Sequence, residues 1–205
     1  MTFSIVGRCA ETGQLGIAIS SSSIAVGARC PWLRSGVGAV SSQNITLPAL
    51  GPQVLDGLGE GLAPAQALDQ ALTRNGYSQY RQVAVVDAQG RTALFSGNHA
   101  LGINNAVAGE QCVAAGNLLA NSAVIERMVE AFESSEGCLA ARLLSALQAG
   151  QDAGARRARC IRRRCRWSAS WSGRSSTCGW TGPRPTPSAS CRNSGAPTSR
   201  SCRTT

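Results

Sequence analysis

Threonine at position 2 places a hydroxyl nucleophile and, once Met1 is removed, an α-amine on one residue. An α-amine with an ordinary pKa of about 8 suits a general base near neutral pH, so nucleophile and base would be adjacent by covalent geometry. Threonine is also small enough for the initiator methionine to be cleaved off. The bland reading is that many cytosolic proteins carry a small second residue with no catalytic meaning. Other reactive side chains offer less. The serines at 20–23 have no acid or histidine at useful spacing, which argues against a Ser-His-Asp triad through His99, the chain's one histidine. Cys30, between Arg29 and Pro31, reads either as a thiol activated by the neighbouring charge or as a buried structural cysteine. The 9 cysteines contain no CxxC pair, so neither a metal site nor a cofactor is expected.

The elements that would position Thr2 can be read from periodicity. TFSIVG and LGIAIS are β-rich runs around the turn residues of AETGQ, which makes a hairpin beginning at residue 2. GVGAV at 36–40 suits a buried strand and is followed by the polar, proline-containing loop SSQNITLPALGP. From Val54 the leucines at 55, 58 and 62 fall on one helical face, and a second helix opens at Pro64 and closes at Asn75-Gly76. RQVAVVD and RTALFSG form a second hairpin around a Gly90 turn, and QCVAAG is a further strand. Two more helices follow, NSAVIERMVEAFESSEG with Asn121 as N-cap and Gly137 as stop, and CLAARLLSALQAG ending at Gly150. Strands, helices, strands, helices is the order of an α+β layered sandwich rather than a doubly wound sheet.

Charge divides the chain in two. Of the 20 basic residues, all arginine, 8 lie before residue 153 together with all 11 acids, and the remaining 12 lie after it with no acid. A domain over 1–153 is therefore mildly acidic, and the net charge of +9 comes from the tail at 154–205. That tail holds Arg, Ser, Cys, Trp, Gly, Pro and Thr with Ile161 as its sole aliphatic residue larger than alanine. It can be read as a disordered basic tail, as an arginine- and tryptophan-bearing nucleic-acid binder, or as an out-of-frame translation. The last reading is preferred. GC-rich codons for ARCIRRRCRWSASWSGRSSTCGW, read one base out of phase, can give VHSAALSVVGELVWPLVDLRV, a strand pattern. The native C-terminal strands would then be missing or replaced. Nucleic-acid binding is not expected of the domain itself. The start MTFSIVGRCAETG has no basic and apolar leader, and no apolar run approaches the 18 residues of a membrane span, so a cytoplasmic protein with free thiols is expected.

The segments TFSIVGRCAETGQLGIAISSSSIAVGARCPWLRSGVGAVSSQN, RQVAVVDAQGRTALFSG and AAGNLLA together closely resemble the bacterial and archaeal family called domain of unknown function 1028, collinearly over about residues 2–153. Members of that family are similar to N-terminal-nucleophile (Ntn) hydrolases, whose fold is a four-layer αββα sandwich. The resemblance implies a catalytic Thr2. By position it also implies Ser20 where proteasome-like enzymes place an Asp, a departure that weakens the catalytic case. Arg29 falls near the lysine that lowers the amine's pKa; it can supply the field but cannot exchange the proton. The loop at 41–44, ending in Asn44, corresponds to the oxyanion-hole loop, and Gly116-Asn117 to a Gly-Ser pair that touches the amine. All of these can also be read as ordinary turns or surface residues. The resulting expectation is an amide-bond hydrolase acting through an acyl-Thr2 intermediate on a small amide or peptide. The alternative is a non-catalytic Ntn-like protein that binds a small molecule or forms a homo-oligomer, and nucleic-acid binding through the tail ranks last.

Overall fold

In the computed structural model the described residues are 1–155 and the backbone of 165–168. The expected first hairpin is β1 (Thr2–Arg8) and β2 (Leu15–Ser21), paired without a break from Thr2↔Ser21 to Arg8↔Leu15. Two edge strands carry no sequence pattern and were not expected. β3 (Pro31–Arg34) is four residues long and begins with proline, which an edge tolerates because its outer N–H has no ladder partner to lose. The strand read at 36–40 is β4 (Gly38–Asn44), which runs on through the segment expected to be a loop. Helices α1 (Leu50–Gly59) and α2 (Pro64–Arg74) follow, with Pro64 in the first turn as read. The second hairpin is β5 (Arg81–Asp87) and β6 (Thr92–Ser96), turned through Gly90 at φ 83°. β7 (Ile103–Gly109) is the other unexpected edge, with no residue buried and therefore without alternation; β8 (Cys112–Leu119) takes up QCVAAG from its cysteine on. α3 (Ala123–Ser134) and α4 (Leu139–Gly150) complete the domain. The N-cap of α3 is Ser122 rather than Asn121, whose Nδ2 instead donates to the Ala153 carbonyl at 3.1 Å.

The protein is α+β, with two antiparallel sheets ordered β7-β8-β1-β2-β9 and β3-β4-β5-β6. β9 (Cys165–Ser168) pairs antiparallel with β2. The expectations of disorder and of an altered reading frame for 154–205 otherwise fall outside the described residues.

Strand alternation sorts the side chains into three packed zones. Phe3 and Ile5 of β1, Ala18 of β2 and Ala114 of β8 face α3 and α4, meeting Val124, Met128, Phe132 and Leu143. Val40, Val83 and Val85 face α1 and α2, meeting Leu50, Val54, Leu55 and Leu68. Between the sheets lie Val6, Ile17, Ala39, Ala84, Val86, Val113 and Ala115. Full burial of a side chain such as Phe132 contributes about 1.5–3 kcal/mol. Phe132 fits because Gly7 has no side chain; a Cβ there would lie 2.7 Å from Phe132 Cζ. None of the described helices is long and apolar enough to cross a membrane.

Candidate functional site

The period of two along β1 decides what surrounds Thr2. Since Phe3 and Ile5 point to the helices, Thr2, Ser4 and Val6 point between the sheets. At the far end that layer is aliphatic. At the Thr2 end it is polar, with Ser4, Ser41, Gln43, Gln82 and Asn117 no more than 3% exposed. Such residues persist in a core when they satisfy one another.

Their hydrogen bonds form one connected set across four strands. Ser4 Oγ donates to Gln43 Oε1 at 2.8 Å, so the 3.0 Å contact between Ser4 and Ser41 must have Ser41 as donor. Gln43 Nε2 and Asn117 Nδ2 both donate to Gln82 Oε1, at 2.9 and 3.1 Å. Gln82 Nε2 in turn donates to the Gly116 carbonyl at 3.0 Å and to Ser96 Oγ at 3.1 Å. Gln82 is thus the hub that joins the sheets beneath Thr2.

Thr2 itself is flanked by Ser21 on β2 and Asn117 on β8, its register partners. Its Oγ1 lies 2.8 Å from Ser21 Oγ. Ser21 Oγ also accepts the Ser23 N–H at 3.0 Å and stands 3.3 Å from the Met1 carbonyl. A hydroxyl has one proton; if Ser21 directs it to the Met1 carbonyl, the Thr2 hydroxyl donates to Ser21. Met1 is held where β1 begins: its carbonyl accepts the Ser22 N–H at 3.0 Å, its amine donates to Ser22 Oγ at 3.1 Å, and its side chain packs on the α3–α4 core.

The residues proposed from sequence separate in space. Thr2 and Asn117 come together in register, with Gly116 next to them on the helix face; a Cβ on Gly116 would sit 2.8 Å from Ile125 Cδ1. Ser20 is paired with Phe3 and so lies on the helix-facing side of β2; Ser21 occupies the place beside Thr2. The offset is one residue, enough to reverse the face. Arg29 reaches Thr2 only through intermediaries, its Nη2 donating to Ser23 Oγ, whose backbone N–H serves Ser21. The segment 41–44 is not an open loop, because its residues pair with β5 through Asn44↔Arg81 and the Ser42 N–H is taken by the Cys30 carbonyl at 2.9 Å. Asn44, left-handed at φ 73°, ties neighbouring loops together: Nδ2 donates to the Tyr80 carbonyl at 2.6 Å and Oδ1 accepts the Leu101 N–H at 3.2 Å.

Sequence reasoning missed Ser4, Ser21 and Gln82. The signal was present in the alternation, since Thr2 and Ser4 interrupt one face of β1, and Gln82 interrupts the face that Ala84 and Val86 continue.

Cys30 and Cys112 behave as core. Cys30 is 2% exposed; burial pushes its thiol above the usual value, against the lowering effects of Thr46 and Arg29. Burial first, and then the charge of Glu133, pushes Cys112 up to about 12. Among the described residues no group of three or more His, Cys, Asp or Glu could hold a metal ion. A groove of about 400 Å³ lined by Arg127, Glu130, Asp152 and their neighbours lies on α3 and the end of α4, on the far side of a sheet from Thr2 Oγ1, and two of its lining residues, Arg127 and Glu130, are paired with each other at 2.7 Å.

The model of the "Family of unknown function (DUF1028)" matches residues 2–184, past residue 153 and into the arginine-rich tail. The crystal structure of a DUF1028 protein from Silicibacter pomeroyi superposes with a TM-score of 0.72 at 33% identity, covering 75% of this chain and 68% of that one. No curated protein matches the chain.

Proposed function

The chain belongs to the DUF1028 family, and from that premise we propose that it is an αββα sandwich of the Ntn type and an amide-bond hydrolase whose nucleophile is Thr2. One observation carries the reading. Where the inter-sheet layer turns polar, a threonine hydroxyl ends the central strand of its sheet and is hydrogen-bonded to Ser21.

In the proposed reaction Thr2, freed of Met1, attacks a carbonyl carbon through Oγ1 while its own α-amine takes the hydroxyl proton. The C–N bond breaks, the departing amine receives that proton, and the ester left on Thr2 is hydrolysed by water to a carboxylic acid. This chain's part is orientation. Ser21 holds the hydroxyl, and the amide network reached through Ser4 and Asn117 restricts β1 and β8. Arg29 contributes a positive field at a distance and no proton transfer. The substrate class is a small amide or peptide.

A second reading rests on Met1, whose carbonyl and amine are both engaged by Ser22 and whose side chain packs on the core. With Ser21 in place of a charged partner, such an N-terminus fits a non-catalytic protein that binds a small molecule or assembles with copies of itself.

The two are separated by intact mass and covalent labelling. The hydrolase reading expects protein made in bacteria to lack Met1 and to acquire one β-lactone adduct on its N-terminal peptide, retained in Thr2→Ser and lost in Thr2→Ala. Retention of Met1 in nearly all molecules, or labelling elsewhere alone, moves the assignment to the binding protein.

A further inference from the structure

Among the described residues five loops meet at the Thr2 end of the sandwich: 22–30 after β2, 45–49 after β4, 75–80 before β5, 97–102 between β6 and β7, and 120–122 after β8. None of these five contains Asp or Glu; Arg29 is the one permanent charge within them, and the buried Arg81 at the start of β5 donates to the Ile45 carbonyl beside them. What they display is apolar. Ile24 is 80% exposed, Ile45 47%, Leu101 43% and Leu118, at the end of β8, 46%, with Tyr80 exposed beside His99. Their positions bracket the nucleophile: Ile24 lies three residues beyond Ser21, and Leu118 directly follows Asn117, the two register partners of Thr2.

This rim is built, not frayed. The left-handed Asn44 joins the Tyr80 and Leu101 loops, and the Leu101 carbonyl accepts the Leu118 N–H at 2.9 Å. Gly102, at φ 61°, passes beneath Leu118, whose Cδ2 would lie 2.9 Å from any Cβ there. Of the five non-glycine residues with positive φ among the described residues, four (Ala25, Asn44, Tyr77 and Leu118) are at this end. A leucine held in the left-handed region is unfavourable, and such positions concentrate where a fold shapes a ligand site.

Resting on the hydrolase reading above, we propose that this rim is the acyl-group subsite of Thr2 and that it selects an uncharged, apolar acyl group, aliphatic or aromatic, over an acidic or basic one. The physical reason is desolvation. A charged side chain brought against Ile45, Leu101 and Leu118 loses water; among the described residues of the rim a cation finds no opposite charge, and the arginines an anion could meet are already engaged, Arg29 by Ser23 and the buried Arg81 by the Ile45 carbonyl.

The test uses three β-lactones with the same reactive ring, carrying hexyl, carboxybutyl or aminobutyl side chains, on the full chain lacking Met1. The hexyl probe should label Thr2 at least roughly tenfold faster than either charged probe. Leu118→Asn should remove most of that preference. Asparagine is at ease in the left-handed region, so this variant should melt no lower than the parent, and a loss of preference cannot then be ascribed to unfolding. Hexanamide binding to Thr2→Ala, followed by NMR shifts, separates this proposal from its premise. Saturable binding that Leu118→Asn abolishes, with no labelling of Thr2 by any probe, would sustain the subsite and defeat the hydrolase. Equal labelling by all three probes, or hexanamide binding untouched by Leu118→Asn, would overturn the subsite. So would sedimentation showing a dimer that Leu118→Asn dissociates, because the rim would then belong to an interface between copies.

Discussion

Replacing Gln82 by methionine removes the hub between the sheets while nearly preserving its volume. Gln82 is wholly buried, and its amide is the acceptor for Gln43 and Asn117 and a donor to Gly116 and Ser96. Methionine fills the space, so the cavity contribution is small, under about 1.5 kcal/mol for a volume-conserving exchange. What remains is polar. The amides of Gln43 and Asn117, both buried, lose their acceptor, and each unsatisfied buried group costs about 1–3 kcal/mol. The Gly116 carbonyl also loses its side-chain donor, which places the expected destabilisation at about 3–5 kcal/mol. Urea unfolding followed by circular dichroism should show a lower midpoint with the slope unchanged. A double-mutant cycle with Asn117→Ala should give a coupling of about 0.5–3 kcal/mol, because both changes act on one bond. Destabilisation below about 1 kcal/mol, the range of surface substitutions rather than of buried networks, would refute the claim that this network holds the sheets together under Thr2.

Two further outcomes follow from single contacts. Ser21→Ala should slow β-lactone labelling of Thr2 by about tenfold, equivalent to roughly 1.4 kcal/mol, and Ser21→Thr should restore it, whereas Ser20→Ala should leave the rate unchanged; equal effects of the two alanine variants would place the hydroxyl partner wrongly. Cys112 should make stability fall in alkali: its folded thiol is raised to about 12 from 9.0, so the unfolded chain releases this proton first. The contribution is intact below the unfolded value and is lost, at about 1.4 kcal/mol per pH unit, as pH rises from there toward the folded one. Urea midpoints across that window should decline less steeply in Cys112→Ala, and parallel declines would refute the assignment.

Much of the scaffold was legible because it is local. The alternation in TFSIVG and LGIAIS, the turn glycine at 90 and the leucine spacing from Val54 each announce an element through a period or a backbone requirement contained in a few residues. The edge strands β3 and β7 were silent for the opposite reason, since neither has a buried residue and so neither has a core face to mark by alternation. Family likeness pointed to Thr2 and to Gly116-Asn117, yet it placed the partner of Thr2 on Ser20. Register alone decides between Ser20 and Ser21, and register is a property of two strands, set by the burial of Phe3, Ile5 and Ala18 on the helix side. Gln82 has no signature of its own either. A glutamine becomes a hub only when β1 and β8 are stacked on β4 and β5, because the Ser4–Gln43 and Asn117–Gln82 hydrogen bonds, between residues 39 and 35 positions apart, exist only once the sheets have met. Local residue types therefore determined where strands, turns and helices form and that a threonine hydroxyl heads the first strand. Long-range packing decided which hydroxyl faces it, what lies beneath it, and which loops close around it.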